Sequence, residues 1–231
     1  MTNRQLKKKL NLSAADLEEI RKAVAKAEDR TSGEIALAVT AEGDTYAEWE
    51  HLAAAGTAFV LFLCLFPLSP QIYEWLSSRF WGIEPWYLSL FFAGLCSVMV
   101  VILYFLYNVP AIDALVIPSE IKKRAVTDKA FMHFAKSGIY ATENHCGILV
   151  FVSWFEKQVR IIADENISKK VSSDLWNIIA DEITENLGKG NAREAFLSAV
   201  EKCSVLLEEN FPSDGTKKNQ LYDGLVILED K

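Results

Sequence analysis

Between Leu52 and Tyr73 the chain runs for 22 residues without an Asp, Glu, Lys or Arg, and between Pro85 and Ile112 for another 28. About 20 mostly apolar residues in a helix cross the roughly 30 Å hydrocarbon core of a bilayer, so each run is long enough to span one. The 11 residues between them, Glu74 to Glu84, are too few for a domain and suit a re-entry loop. The expectation is a transmembrane helical hairpin, residues 51–108 with a short loop over 74–84. A buried helical hairpin of a globular core is the competing reading. Aromatic placement favours the membrane, because amphipathic rings settle at the headgroup level. Trp49 precedes the first run, Trp75, Trp81 and Trp86 crowd the loop, and Tyr104 and Tyr107 close the second run. These six side chains are the expected interfacial anchors.

Basic residues near the spans mark the cytoplasmic side. The loop carries Arg79 beside Glu74 and Glu84, whereas Lys122, Lys123 and Arg124 follow the second span and Arg4 and Lys7 to Lys9 lie near the start. Lys7 to Lys9 lead into a polar helix rather than an apolar segment, so no signal peptide is expected. The expected location is a cell membrane of the inner, plasma-membrane type, crossed twice, with both termini cytoplasmic. Anionic lipid headgroups are the candidate ligand of Lys122, Lys123 and Arg124, and a solvated helix face is the alternative. Ionisable groups are missing at depth, which speaks against a transport route.

Without the hairpin, about 50 residues remain before it and about 120 after it, and only together do they reach a common domain size. The net charge of −7 offers no electrostatic case for nucleic acid. Cys64, Cys96, Cys146 and Cys203 have no zinc-like spacing.

Ser13 with Asp16 forms a potential capping box, and Leu17, Ile20, Val24 and Ala27 make the apolar stripe of a first helix. Ile35, Leu37 and Val39 alternate as a strand, and Asp44 or Thr45 is placed to cap the next helix. After the spans a helix is expected from Ser119 to Gly138. Ile148 to Trp154 and Val159 to Ala163 then read as a β-hairpin turning at Glu156 and Lys157. Two helices follow, over Asp174–Leu187 and from Asn191, where Glu194 can complete a second capping box, and Gly224–Leu228 is a last strand. This is an α/β fold, an α/β/α sandwich with a mixed sheet of about four strands. One strand precedes the hairpin and cannot stand alone, so residues 1–50 and 109–231 form one discontinuous domain around an inserted hairpin.

Several stretches, taken in order, carry a resemblance: Arg30, Thr31, Ser32, Gly33, Glu34 and Ile35 entering a strand; Thr142 to Ser153 followed by Val159 to Asp164; and Asn219 to Gly224 near the end. This succession resembles the TPM domain family, named from a thylakoid lumen repair protein and a worm receptor auxiliary protein. The resemblance spans most of the chain outside the hairpin and implies an α/β/α sandwich, often membrane-anchored. It further implies roles in the assembly, repair or tuning of membrane complexes, acid phosphatase activity and, in some members, divalent-metal binding. Many relatives have a signal peptide and a later anchor; here the anchor splits the domain, as in a bacterial subgroup with internal spans.

Asp164 follows a strand and Asp223 precedes another, so converging strand ends would let them hold Ca²⁺ or Mg²⁺ with Asn219 and Glu165. The structural alternative is that Asp164 caps a turn. No cysteine-phosphatase loop surrounds Cys146, and His145 and Cys146 should point apart. The expected function is therefore a non-enzymatic, membrane-anchored interaction module with a membrane-protein partner. A metal-dependent phosphoesterase using Asp164 and Asp223 is the alternative.

Overall fold

A computed structural model describes residues 3–107, 109, 112, 116–142, 145–213 and 221–229. The chain divides into two compact units, one of Met1–Asp44 with Glu120–Lys231 and one of Thr45–Ser119.

The first unit opens with helix α1 (Asn3–Leu10), which sequence reading passes over because Lys7, Lys8 and Lys9 dominate it. Leu6 and Leu10, one turn apart, are nonetheless buried in the main core. Helix α2 (Ala14–Glu28) starts on the expected box. The Ser13 hydroxyl accepts the Asp16 N–H at 3.1 Å, and the Asp16 carboxylate accepts the Ser13 N–H at 2.8 Å. Two donors that the helix start leaves open are thereby satisfied.

Strand β1 (Glu34–Thr40) pairs in parallel with β2 (Gly147–Ser153), which turns back into antiparallel β3 (Gln158–Ala163). The short β4 (Leu225–Ile227) lies parallel to β1 on its other side, giving the order β3-β2-β1-β4. Alternation sorts the side chains. Ile35, Leu37, Val39, Ile148, Val150, Val152 and Val159 face one core, and Ala38, Leu149, Phe151 and Ile162 face the other. Because both sides are covered, β1 and β2 read as near-continuous apolar runs.

The first core lies under α2, α8 (Ser173–Gly188) and α9 (Ala192–Asn210), which supply Ile20, Trp176, Ile183, Phe196 and Leu207. The second lies under α6 (Ser119–Lys136), whose Val126 and Ala130 are fully buried. The result is the expected mixed sheet between helical layers, with α1, α2, α8 and α9 on one side and α6 on the other among the described residues. The capping box expected for α9 does not form: Asn191 makes no side-chain cap bond. Glu194 is held instead by Arg193, whose guanidinium also grips Glu19 of α2 at 2.6 Å and so ties α9 to α2.

The second unit is a helical hairpin. Helix α3 (Ala47–Leu65) has Tyr46, rather than Asp44 or Thr45, at its cap position. A 3₁₀ turn at Phe66–Leu68 joins it to α4 (Ser69–Arg79), and α5 (Tyr87–Tyr107) returns. The helix thus carries on past Pro67, which sits in the 3₁₀ joint, and the expected loop shrinks because Glu74 to Arg79 are helical. Phe62 meets Phe92 edge-on at 5.6 Å, and the Thr57 and Tyr107 hydroxyls bond at 2.8 Å. Gly56 and Gly94 are not close-approach points, since a Cβ at either would meet nothing within 4 Å.

Candidate functional site

Two features carry chemistry, the apolar hairpin and one end of the sheet. In the hairpin, the segments Ala47–Arg79 and Tyr87–Tyr107 span 33 and 21 residues, and only 11% and 6% of their most apolar windows are buried. A core helix of a globular protein hides such a window. Here Phe59, Val60, Leu63, Val98, Ile102 and Phe105 are all more than half exposed. Of the expected anchors, Trp75 and Trp86 are more than half exposed and Trp81 is completely so. Trp49 is half-buried in α3. Tyr104 and Tyr107 turn toward α3, where Tyr104 lies 4.7 Å from the His51 ring.

At the sheet end, Glu34 opens β1 opposite Gly147, and the Asp164 N–H donates to the Gly147 carbonyl at 2.9 Å. Alternation puts Glu34, Gly147 and Asp164 in a row across three strands, on the α6 side. Both acids are buried, and Gly147 between them has no side chain because Ile139 sits over it. Asp164 Oδ1 accepts the Glu165 N–H at 2.7 Å, capping the single turn α7 (Glu165–Ser168). Its Oδ2 lies 3.7 Å from His145 Nδ1, which also approaches the Tyr140 carbonyl at 3.1 Å. His145 is exposed in a left-handed backbone (φ 48°) while Cys146 is buried, so the two side chains do part.

Of the expected metal ligands, Asp164 and Asp223 are not brought together. Asp164 follows β3 and Asp223 precedes β4, the two opposite edges of the sheet. Three inter-strand spacings separate them, about 14 Å at roughly 4.8 Å each. Their neighbours differ accordingly: His145 stands beside Asp164, whereas the charge of Asp223 is felt by Arg21 on α2. Glu165 is exposed and bonded to Lys169 at 2.6 Å, which holds its carboxyl below the usual range. Asn219 lies outside the described residues. Among the described residues no group of three or more His, Cys, Asp and Glu side chains is placed to hold a metal ion. Asp164 and Asp223 therefore cannot share one ion with oxygen ligands at about 2.0–2.6 Å. Sequence reading missed Glu34 as the buried neighbour of this row, although its parity with Ala36 and Ala38 was there to be used.

Lys123 bonds Glu120 at 3.0 Å, and Arg124 reaches Asp128 at 3.7 Å with its side chain 83% exposed. Lys122 lies half-buried on the same helix.

A four-stranded mixed sheet between helical layers, interrupted by two exposed apolar helices, defines an α/β domain with an inserted hairpin. The family model described as TPM domain matches residues 111–205, which include α6, the β2–β3 hairpin and most of α9. Among solved structures it is similar to the NMR structure of the BA42 protein from the psychrophilic bacterium Bizionia argentinensis. The identity is 17%, the alignment covers 94% of this chain and 95% of that one, and the TM-score is 0.54, a likeness of fold. No curated protein sequence matches the chain.

Proposed function

We propose that the protein is a membrane-anchored interaction module. The hairpin lodges in a lipid bilayer and holds the TPM unit at its surface, where that unit assists the assembly, maintenance or regulation of a membrane-protein complex. The observation that carries this reading is the exposure of the two long apolar segments, whose windows are 11% and 6% buried. Water is a poor solvent for so much contiguous apolar surface, and lipid is a good one. Both termini lie on the cytoplasmic side, in keeping with the basic residues that flank the returning chain. Resistance of the membrane fraction to an alkaline carbonate wash tests the anchor, and reporter fusions at Lys231 and within residues 80–86 test the topology. Cross-linking in detergent followed by purification tests the partner; failure to recover a reproducible membrane protein would count against the module reading.

A hydrolase is the second reading, supported by the buried Asp164 carboxylate 3.7 Å from His145 Nδ1, an acid–base pairing at a strand end. Phosphate-ester hydrolysis by the purified protein, with and without added Mg²⁺ or Ca²⁺ and lost in Asp164→Asn, would be required.

A further inference from the structure

We infer that the outward face of α6 is a docking surface for an anionic lipid bilayer, and that it orients the TPM unit with its single-helix layer toward the membrane. This deepens the anchored-module reading and rests on it. The inner stripe of α6 is spent on the sheet, with Val126 and Ala130 buried and Phe134 packed beside them. The outer stripe combines two chemistries. Phe131 and Met132 are 55% and 53% exposed, and Tyr140 just beyond the helix is 51% exposed. The exposed charges of the same helix are Lys123, Arg124 and Lys136 with Glu120 and Asp128, which pair with Lys123 and Arg124, so the excess is basic. Apolar groups that enter the acyl boundary, flanked by cations that reach phosphates, are what an interfacial helix requires.

Charge separates the two helical layers. Helix α6 carries five Lys and Arg against two Asp and Glu. Helices α1, α2, α8 and α9, across the sheet, together carry twelve Asp and Glu against nine Lys and Arg. In a chain of net charge −7 the basic layer is therefore local. A domain polarised in this way turns its basic side to an anionic surface and its acidic side away.

The test uses the full chain with Cys64→Ala and Cys96→Ala, reconstituted into phosphatidylcholine vesicles with or without phosphatidylglycerol and with brominated acyl chains. One fluorophore is placed on Met132→Cys or, as the opposite-layer control, on Val205→Cys of α9. The Met132 position should be quenched several-fold more than the Val205 position in anionic vesicles. That excess should shrink at high salt and in Lys123→Glu/Arg124→Glu/Lys136→Glu, since each basic residue near such a surface strengthens contact about fivefold. Equal quenching at the two positions, or quenching indifferent to lipid charge, would overturn the proposal. Should the triple variant misfold by circular dichroism, the comparison of the two labelled positions decides alone. Carbonate resistance is read on the same samples: retention without a quenching difference defeats the α6 contact only, and release defeats the anchor and this inference with it.

Discussion

Glu28 Oε1 accepts the backbone N–H of Ile35 at 2.8 Å, across the turn that joins α2 to β1. Successive N–H groups of a strand point to opposite sides. Glu34 donates toward β2, to Cys146 O at 3.0 Å, so Ile35 donates toward the β4 side. Strand β4 begins only opposite Leu37, which leaves Ile35 beyond its reach. The Glu28 carboxylate therefore stands in for a missing strand. Glu28→Ala should cost about 1–3 kcal/mol, the desolvation of a buried donor. Glu28→Gln, which keeps an acceptor oxygen, should cost less. Urea unfolding of the two variants checks the order, and equal losses would show that the acceptor is not what matters.

Gly147 is a second point of small tolerance. A Cβ there would stand 2.5 Å from Ile139 Cγ2 and 2.6 Å from the Ile139 carbonyl oxygen, and the latter is backbone. Gly147→Ala should destabilise by about 1–3 kcal/mol through overpacking. At roughly 2–4 °C per kcal/mol for a domain of this size, thermal unfolding resolves the change. An unaltered Tm would mean that the turn over Gly147 yields freely.

The hairpin makes a prediction whose sign depends on its surroundings. Phe59 and Val98 are 61% and 57% exposed. In water, Val98→Asp or Phe59→Asp on an exposed face should change stability by no more than about 0.5 kcal/mol. At a bilayer centre each Asp costs roughly 2.5–3.5 kcal/mol. The double variant should therefore show several-fold lower retention in carbonate-washed membranes. Unchanged retention together with a higher soluble yield would place these helices in water.

Cys203 lies wholly inside the core, and burial pushes its thiol up to about 12. A thiolate is the reactive form, so maleimide should leave Cys203 unmodified at pH 8 until the chain is denatured, as read by mass spectrometry. The same shift carries a stability sign. Folding holds the thiol protonated while the unfolded chain releases its proton near 9. This contribution is thus intact below pH 9 and is lost as pH rises from about 9 to about 12. Cys203→Ala should flatten that alkaline limb.

The one-dimensional pattern determined the elements whose cause is local. Ser13 and Asp16 meet within one turn, Ile35, Leu37 and Val39 alternate, and charge-free runs declare helices that water does not favour. These signals act over a few residues, so order along the chain is enough to read them. Leu6 and Leu10 were hidden behind three lysines because only a distant core gives them a place. The capping box at Asn191 failed for a tertiary reason, since Glu194 is bonded to the Arg193 that bridges to Glu19 of another helix. Strand order is likewise invisible in spacing. It sent Asp164 and Asp223 to opposite edges of the sheet and put Glu34 in one row with Asp164, across Gly147, because parallel pairing joins segments separated by more than a hundred residues. The split of charge between α6 and the opposite helical layer has the same origin. The sequence by itself held the charges, and the fold decided which side of the sheet each would occupy.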